Sequence, residues 1–134
     1  MSNIYKIYPD INFAFSKLEP GLKSFTELFE IAKKFREDEN FSNVHYQLTD
    51  MRGCSFDFEI KKISDMKSLI RSYQDSDNQK LGVYLVDSPV ETAYIHMFFE
   101  SLGLDREYCS TVEKAYELFK LPISFEEFQK RIDI

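Results

Sequence analysis

The fold is decided by the stretch VHYQLTDMRGCS, residues Val44–Ser55. Its first part, Val44–Met51, predicts a buried strand, because β-branched and aromatic residues favour strands. Polar residues follow at a bend that Gly53 permits. In open α/β sheets, ligands and switches collect at the carboxyl ends of the strands. We therefore expect a docking or switch loop just past this strand, formed by Asp50, Arg52, Cys54 and Ser55.

A second strand is predicted by the nearly continuous apolar run LGVYLV, Leu81–Val86. Runs of this kind are typical of strands that are covered on both faces. The run ends in Asp87-Ser88-Pro89, where a capping residue followed by proline predicts the start of a helix. Asp87 and Ser88 thus form a second polar loop, which we expect at the same edge of the sheet as Asp50.

The remaining segments place this pair of strands in a mixed sheet. Asn3–Leu18 predicts a hairpin around Pro9-Asp10. Helix caps are predicted at Ser24, at Ser110 or Thr111, and at Ser124. The element order β-β-α-β-α-β-α-β-α-α predicts an α/β fold, in which helices pack on a mostly parallel sheet of about four or five strands. We expect one domain over residues 1–134, with its core at about 4–121 and a C-terminal helical extension at 122–134.

Charge and composition narrow the classes of partner. The formal net charge is −6, from 17 Lys and Arg against 23 Asp and Glu, so the chain repels phosphate backbones and anionic membrane surfaces. No apolar run approaches the ~18 residues that span a bilayer, and the first residues lack the apolar core of a signal peptide. We expect a cytoplasmic protein that has no integral membrane segment and does not bind nucleic acid.

Neither a metal site nor another cofactor site is predicted. Cys54 and Cys109 lack the CxxC spacing of zinc sites, and the two histidines are scattered. Cys54 is a candidate nucleophile, because a thiol at a helix N-terminus is acidified, but it needs a base. His45 is separated from it along the strand; His96 lies on a helix face, and its spacing in the sequence does not show whether it approaches Cys54. A buried structural role explains Cys54 better, so a small cysteine-dependent enzyme is the least favoured function.

One predicted helix carries apolar residues on more than one face. Tyr94, Phe98 and Phe99 follow Pro89, and adjacent residues point about 100° apart on a helix. One interpretation is an interface, or the wall of a pocket for a small apolar ligand. The other is a central helix packed between the sheet and a neighbouring helix. The sequence leaves both open.

The order of these motifs resembles a known family. A strand ending in Asp-Met-Arg precedes a GVYLV strand, a PVETAY helix and the segment YCSTVEKAYELF, Tyr108–Phe119. Over about Ile4–Leu121 the chain resembles the bacterial SpoIIAA-like proteins, which share the fold of STAS domains. In that family a helix led by Ser/Thr-x-x-x-Ala follows the last short strand, and Thr111–Ala115 matches that pattern.

The resemblance implies a single-domain STAS-like architecture and a non-enzymatic regulatory role through protein binding. Anti-sigma-factor antagonists of the family carry a phosphorylatable serine in an Asp-Ser-x-Gly turn after a central strand. Here the serine, Ser55, is not adjacent to Asp50, so the resemblance implies a docking turn without the standard phosphorylation. The expected partner is another protein or a second copy of the chain. A carrier of a small apolar or lipid-like ligand is the alternative.

The turn residues also have a purely structural interpretation. Asp50 then caps the turn that follows it, and Arg52 pairs with an acidic residue at the surface. Both interpretations use the same residue types, so the sequence does not separate them.

Overall fold

The structure, a computed structural model, describes the sheet and the C-terminal helices of the chain. The described residues are 3–24, 27, 30–31, 33–34, 37–56, 81–89, 92–93, 96 and 107–133. Their strands are β1 (Ile4–Tyr8), β2 (Phe13–Lys17), β3 (Gly21–Lys23), β4 (Tyr46–Asp50), β5 (Cys54–Phe56), β6 (Leu81–Leu85) and β7 (Glu107–Cys109). Two helices have both ends among these residues, α1 (Val112–Phe119) and α2 (Phe125–Ile132), and short 3-10 helices cover Pro9–Ile11 and Phe41–Asn43.

Five strands form the main sheet, in the order β1-β2-β4-β6-β7. β1 runs antiparallel to β2, and the other neighbours are parallel. The predicted α/β class, the mixed and mostly parallel sheet and the N-terminal hairpin are therefore confirmed. Because β2, β4, β6 and β7 are parallel, their carboxyl ends lie at one edge, which we call the C-terminal edge of the sheet.

The hairpin turn follows from local backbone chemistry. Pro9 begins the 3-10 turn, and Asn12 ends it in the left-handed region at φ 53°, which asparagine tolerates better than most residues. Tyr8 then pairs with Phe13, and Ile4 pairs with Lys17.

A second, two-stranded sheet was not predicted from the sequence. β3 and β5 pair in parallel, with Gly21 beside Cys54 and Lys23 beside Phe56. The sequence correctly ends the hairpin strand before Pro20-Gly21, but it does not predict that β3 begins at Gly21. The predicted loop at Cys54-Ser55 is wrong, because both residues lie in β5. Strands of three residues are too short to show alternation, and their pairing joins segments that are distant along the chain.

One face of the main sheet packs against α1 and α2. Phe13, in β2, has its ring centroid 5.5 Å from that of Phe119 and 5.7 Å from that of Phe128. The fully enclosed members of this cluster are Phe13, Phe15, Leu48, Val83, Leu85, Ala115, Phe119 and Phe128. Phe128 is 0% exposed, so α2, predicted as an extension beyond the core, contributes directly to it.

The opposite face of the sheet is also covered. Ala14, Phe41 and Val44 form a buried cluster there, with Ile7 packed against it. β2 is thus enclosed on both sides, as its burial pattern confirms. Of the helices in the described ranges, none combines the length and the apolar character needed to cross a bilayer.

The C-terminal helix α2 is fixed at both of its ends. The Ser124 hydroxyl accepts a hydrogen bond from the Glu127 amide at 3.1 Å, which confirms the predicted cap. Near the other end, Arg131 donates to both carboxylate oxygens of Asp10, at 2.8 and 2.7 Å. The Tyr8 hydroxyl donates to the Arg131 carbonyl at 2.6 Å. These contacts hold α2 against the hairpin turn.

Candidate functional site

The turn after β4 is closed by an internal ion pair. Asp50 is 4% exposed, and its Oδ1 accepts from the backbone amide of Arg52 at 3.1 Å and from Nε at 2.9 Å. Its Oδ2 accepts from an Arg52 terminal nitrogen at 2.8 Å. Asp50 therefore caps the turn, as the structural interpretation expects, but its cationic partner lies within the turn itself. The Asp50 carboxylate therefore holds the Arg52 side chain in place.

Gly53 links this turn to two neighbouring loops. It has a positive φ of 79°, which favours glycine. Its amide donates to Oδ2 of Asp87 at 3.0 Å, and its carbonyl accepts from the Gly21 amide at 3.0 Å. A Cβ at this position would lie 3.1 Å from the Cβ of Pro20. The close approach and the positive φ explain why glycine is needed here.

The Cys54 thiol points inward. Cys54 is 3% exposed, and its Sγ donates to the Glu19 carbonyl at 3.5 Å. Burial raises the pKa of the thiol, the charges of Asp50 and Asp87 add to this, and Lys23 opposes it. A buried thiol with a raised pKa is a poor nucleophile at neutral pH.

Of the two candidate bases for Cys54, His45 is not placed to activate it. His45 lies before the start of β4, where its amide donates to the Asn12 carbonyl at 2.9 Å, so it is at the opposite end of the strand. His96 contacts the Tyr108 hydroxyl at 3.3 Å. The position of His45 disfavours the hypothesis of a cysteine-dependent enzyme built on Cys54.

A buried lysine lies beneath the two-stranded sheet. Lys23 is 5% exposed, and its Nζ lies 3.4 Å from Oε2 of Glu27. The amide of Glu27 donates to the Ser24 hydroxyl at 3.2 Å, so the predicted cap orients the acid that neutralises Lys23. Lys23, Cys54 and Phe56 are the buried positions of their strands, and Lys23 pairs with Phe56 across the two-stranded sheet.

Ser55 is separated from the other residues of the predicted loop. It lies in β5 between two buried residues and is exposed. Its neighbour across the two-stranded sheet is Leu22, which is 65% exposed. Arg52 and Gly53, which precede β5, are exposed as well, and we call Leu22, Arg52, Gly53 and Ser55 the edge surface.

An open groove lies beside this turn, at the ends of β6 and β7. Its volume is about 690 Å³. The described residues that line it are Val86, Asp87, Ser88, Pro89, Thr92, Ala93, His96, Tyr108, Cys109 and Ser110. The Thr92 hydroxyl donates to the Ser88 carbonyl at 2.8 Å, which fixes the first helical turn after Pro89. The predicted Asp87 and Ser88 thus share the C-terminal edge with Asp50 and Arg52.

Several residues of this groove were not singled out from the sequence. Cys109, which the sequence predicts to be a core residue, is half-buried: it packs against the main core cluster and also lines the groove. Burial raises the pKa of the Cys109 thiol. A contact with the Thr111 backbone and the positive charges of Lys114 and Arg52 lower this pKa and offset part of the rise. The sequence signal that could have placed Cys109 here is its position at the end of a predicted strand, because the carboxyl ends of parallel strands lie at the same edge of the sheet. Tyr94, Phe98 and Phe99 lie outside the described residues.

Comparison with known proteins leaves the family of the chain open. No protein-family model matches it, and no curated protein matches it at a significant level. Within the described part of the chain, no group of three or more His, Cys, Asp or Glu residues could hold a metal ion.

Proposed function

We propose that this chain is a STAS-like, non-catalytic interaction module that docks a protein partner, or a second copy of itself, at the C-terminal edge of its sheet. The docking area comprises the edge surface and the adjoining loop at Asp87 and Ser88. The STAS-like family assignment and the cytoplasmic location expected from the sequence belong to this proposal.

The observation that supports the proposal is a network of hydrogen bonds, made by Asp50 and Asp87, that holds the exposed turn in place. Asp50 holds Arg52 through three hydrogen bonds, and Asp87 holds the Gly53 amide. The thiol of Cys54 is buried. Polar side chains that are occupied in this way are poorly suited to acid-base or nucleophilic catalysis. They do preorganise the surface above them, which lowers the entropic cost of binding.

The outward side of the network has the composition of a docking surface. Leu22 is the most exposed of the large hydrophobic residues described, and its neighbour across the two-stranded sheet is the small polar Ser55. A central apolar residue with a polar rim is the usual anatomy of a protein interface. Arginine is also enriched among residues that dominate binding energy.

The alternative, a carrier of a small apolar ligand, has less support. One basis for it is the high aromatic content of the sequence, with 13 Phe and 8 Tyr, but the four phenylalanines at the centre of the main cluster are enclosed in the core. Phe13, Phe15, Phe119 and Phe128 are each 2% exposed or less. These rings stabilise the fold and are not available to a ligand.

A matched pair of substitutions tests the docking surface. Ser55→Lys places a bulky cation on the edge surface, and Ser42→Lys places the same side chain at an exposed position near the start of β4. Wild-type and variant proteins are used as baits in extracts of the source cells, with quantitative mass spectrometry as the readout. We expect Ser55→Lys to reduce recovery of a specific partner about tenfold, as loss of a central contact does.

The Ser42→Lys control should retain that partner. Equal recovery by wild type and Ser55→Lys would contradict docking at the edge surface. If the partner is a second copy, analytical ultracentrifugation of the purified protein will show a dimer that Ser55→Lys dissociates and Ser42→Lys preserves.

A further inference from the structure

The groove beside the edge surface combines an apolar lining with one acidic side chain. Val86, Pro89 and Ala93 supply aliphatic surface, while Tyr108 and His96 supply a pair of rings with centroids 6.0 Å apart. Asp87 is exposed at the groove, and one of its oxygens already accepts from the Gly53 amide. This mixture is suited to a side chain that is apolar along its length and charged at its tip.

Among the described charged residues around the groove, acids outnumber bases. Arg52, a nearby cation, is paired with Asp50 through its Nε and one terminal nitrogen. Lys114 lies 3.7 Å from Glu117, so its charge is shared as well. Glu107, exposed in β7, adds a further acid, and the chain as a whole carries −6. An anionic ligand would therefore meet repulsion, whereas a cation would meet the carboxylate of Asp87.

We propose that this groove binds an arginine or lysine side chain presented by the protein partner. This inference rests on the proposed docking function and specifies the partner's chemistry. The aliphatic stem of the basic residue packs on Val86, Pro89 and Ala93, as such stems do along apolar surfaces. Its charged head lies near Asp87, and the Tyr108 ring offers a cation–π contact.

Three capped tripeptides test the preference without an identified partner. They are acetyl-Gly-Xaa-Gly-amide with arginine, its neutral isostere citrulline, or glutamate at the central position. Each is titrated into the ¹⁵N-labelled full chain, and amide shifts are followed at Asp87, Thr92 and Tyr108. A single anchor should bind at about the millimolar level. We expect the arginine peptide to bind up to about fivefold more tightly than the citrulline peptide, the scale of an exposed ion pair.

Asp87→Asn is the matched variant. The amide oxygen can still accept from Gly53, so the turn is kept, and an unchanged Gly53 amide shift will verify this. We expect the variant to bind the arginine and citrulline peptides equally. The preference in the wild-type protein should also shrink as salt is raised, because screening weakens exposed charge pairs.

Three results would overturn the inference: equal binding of the arginine and citrulline peptides to the wild type, tighter binding of the glutamate peptide, or the absence of shifts around the groove. The docking function is tested separately. If Ser55→Lys abolishes partner recovery while the arginine peptide shows no preference, the basic anchor is wrong and the docking surface stands. If the peptide preference holds while Ser55→Lys changes nothing, the groove binds cations and the proposed docking surface is wrong.

Discussion

Two regions of this domain, the sheet face covered by α1 and α2 and the C-terminal edge of the sheet, are stabilised by different interactions. The face covered by α1 and α2 relies on interlocked rings, with Phe128 within 6.3 Å of Phe13, Tyr116 and Phe119, centroid to centroid. The C-terminal edge relies on directed contacts, among them the Asp50–Arg52 pair and the Asp87–Gly53 hydrogen bond. Burial is non-directional and tolerates small shifts, whereas hydrogen bonds fix a geometry. The first region should therefore control stability and the second should control the shape of the surface.

The largest expected effect is in the aromatic region. Phe128→Ala removes a fully enclosed ring and should lower the free energy of unfolding by about 3–5 kcal/mol. Urea denaturation will measure the change. The control is Gln129→Ala, an exposed position in the same helix, which should stay within about 0.5 kcal/mol of wild type. A loss below about 1 kcal/mol for Phe128→Ala would contradict the assigned role of α2 in the core.

The next effect is at the turn. Gly53→Ala forces a side chain into the positive-φ region and places its Cβ 3.1 Å from Pro20. We expect a loss of about 1–3 kcal/mol in the free energy of unfolding. In a Pro20→Gly background, which lacks that Cβ, the steric part should be smaller, so the two substitutions should not be additive. Additive losses would show that the contact with Pro20 is unimportant.

A smaller effect is expected from the ion pair of the turn. In a double-mutant cycle, Asp50→Asn and Arg52→Gln should show a coupling energy of about 1 kcal/mol, because Asp50 is buried but the arginine is partly exposed. The peptide amide of Arg52 keeps an acceptor in Asp50→Asn, so the turn should still form. Chemical denaturation of the four proteins supplies the cycle. A coupling energy near zero would mean that the pair does not organise the turn.

The smallest effect concerns the exposed pair that holds α2 to the hairpin. The Arg131 guanidinium lowers the pKa of Asp10 below its ordinary value of 3.8. Because the folded-state pKa is the lower one, the stabilisation is fully present above pH 3.8 and is lost as the pH falls through the folded value. Thermal midpoints of wild type and Asp10→Asn should therefore differ slightly at pH 7 and converge in acid. A difference that grows on acidification would contradict this assignment.

The sequence predicts the first region better than the second. Apolar runs such as Leu81–Val86 and caps such as Ser124 are local signals, and the structure confirms the strand and the cap. The edge depends on contacts between distant segments, such as Gly53 with Asp87 and Cys54 with Glu19. Spacing within one segment carries no information about such pairs. The sequence places Asp50 and Arg52 in one turn, but it does not predict that their side chains pair with each other.

The sequence also predicts only some of the residues that line the groove. Asp87 and Ser88 were predicted at the edge because they follow a strand, and they lie there. Tyr108 and Cys109 belong to a strand of three residues, too short to reveal which side chains face the core. Their place in the groove follows from the parallel pairing of β7 with β6.

The central claim, that the C-terminal edge is the docking surface, is tested most directly by site-specific photo-crosslinking. A photoreactive amino acid is placed at Ser55 on the edge surface or at Ser42 near the other end of β4, and the proteins are irradiated in extracts of the source cells. We predict a discrete cross-linked adduct from position 55 that is absent from position 42 and is competed by unlabelled wild-type protein. Adducts of equal yield from both positions, or a discrete adduct from position 42 alone, would contradict the claim.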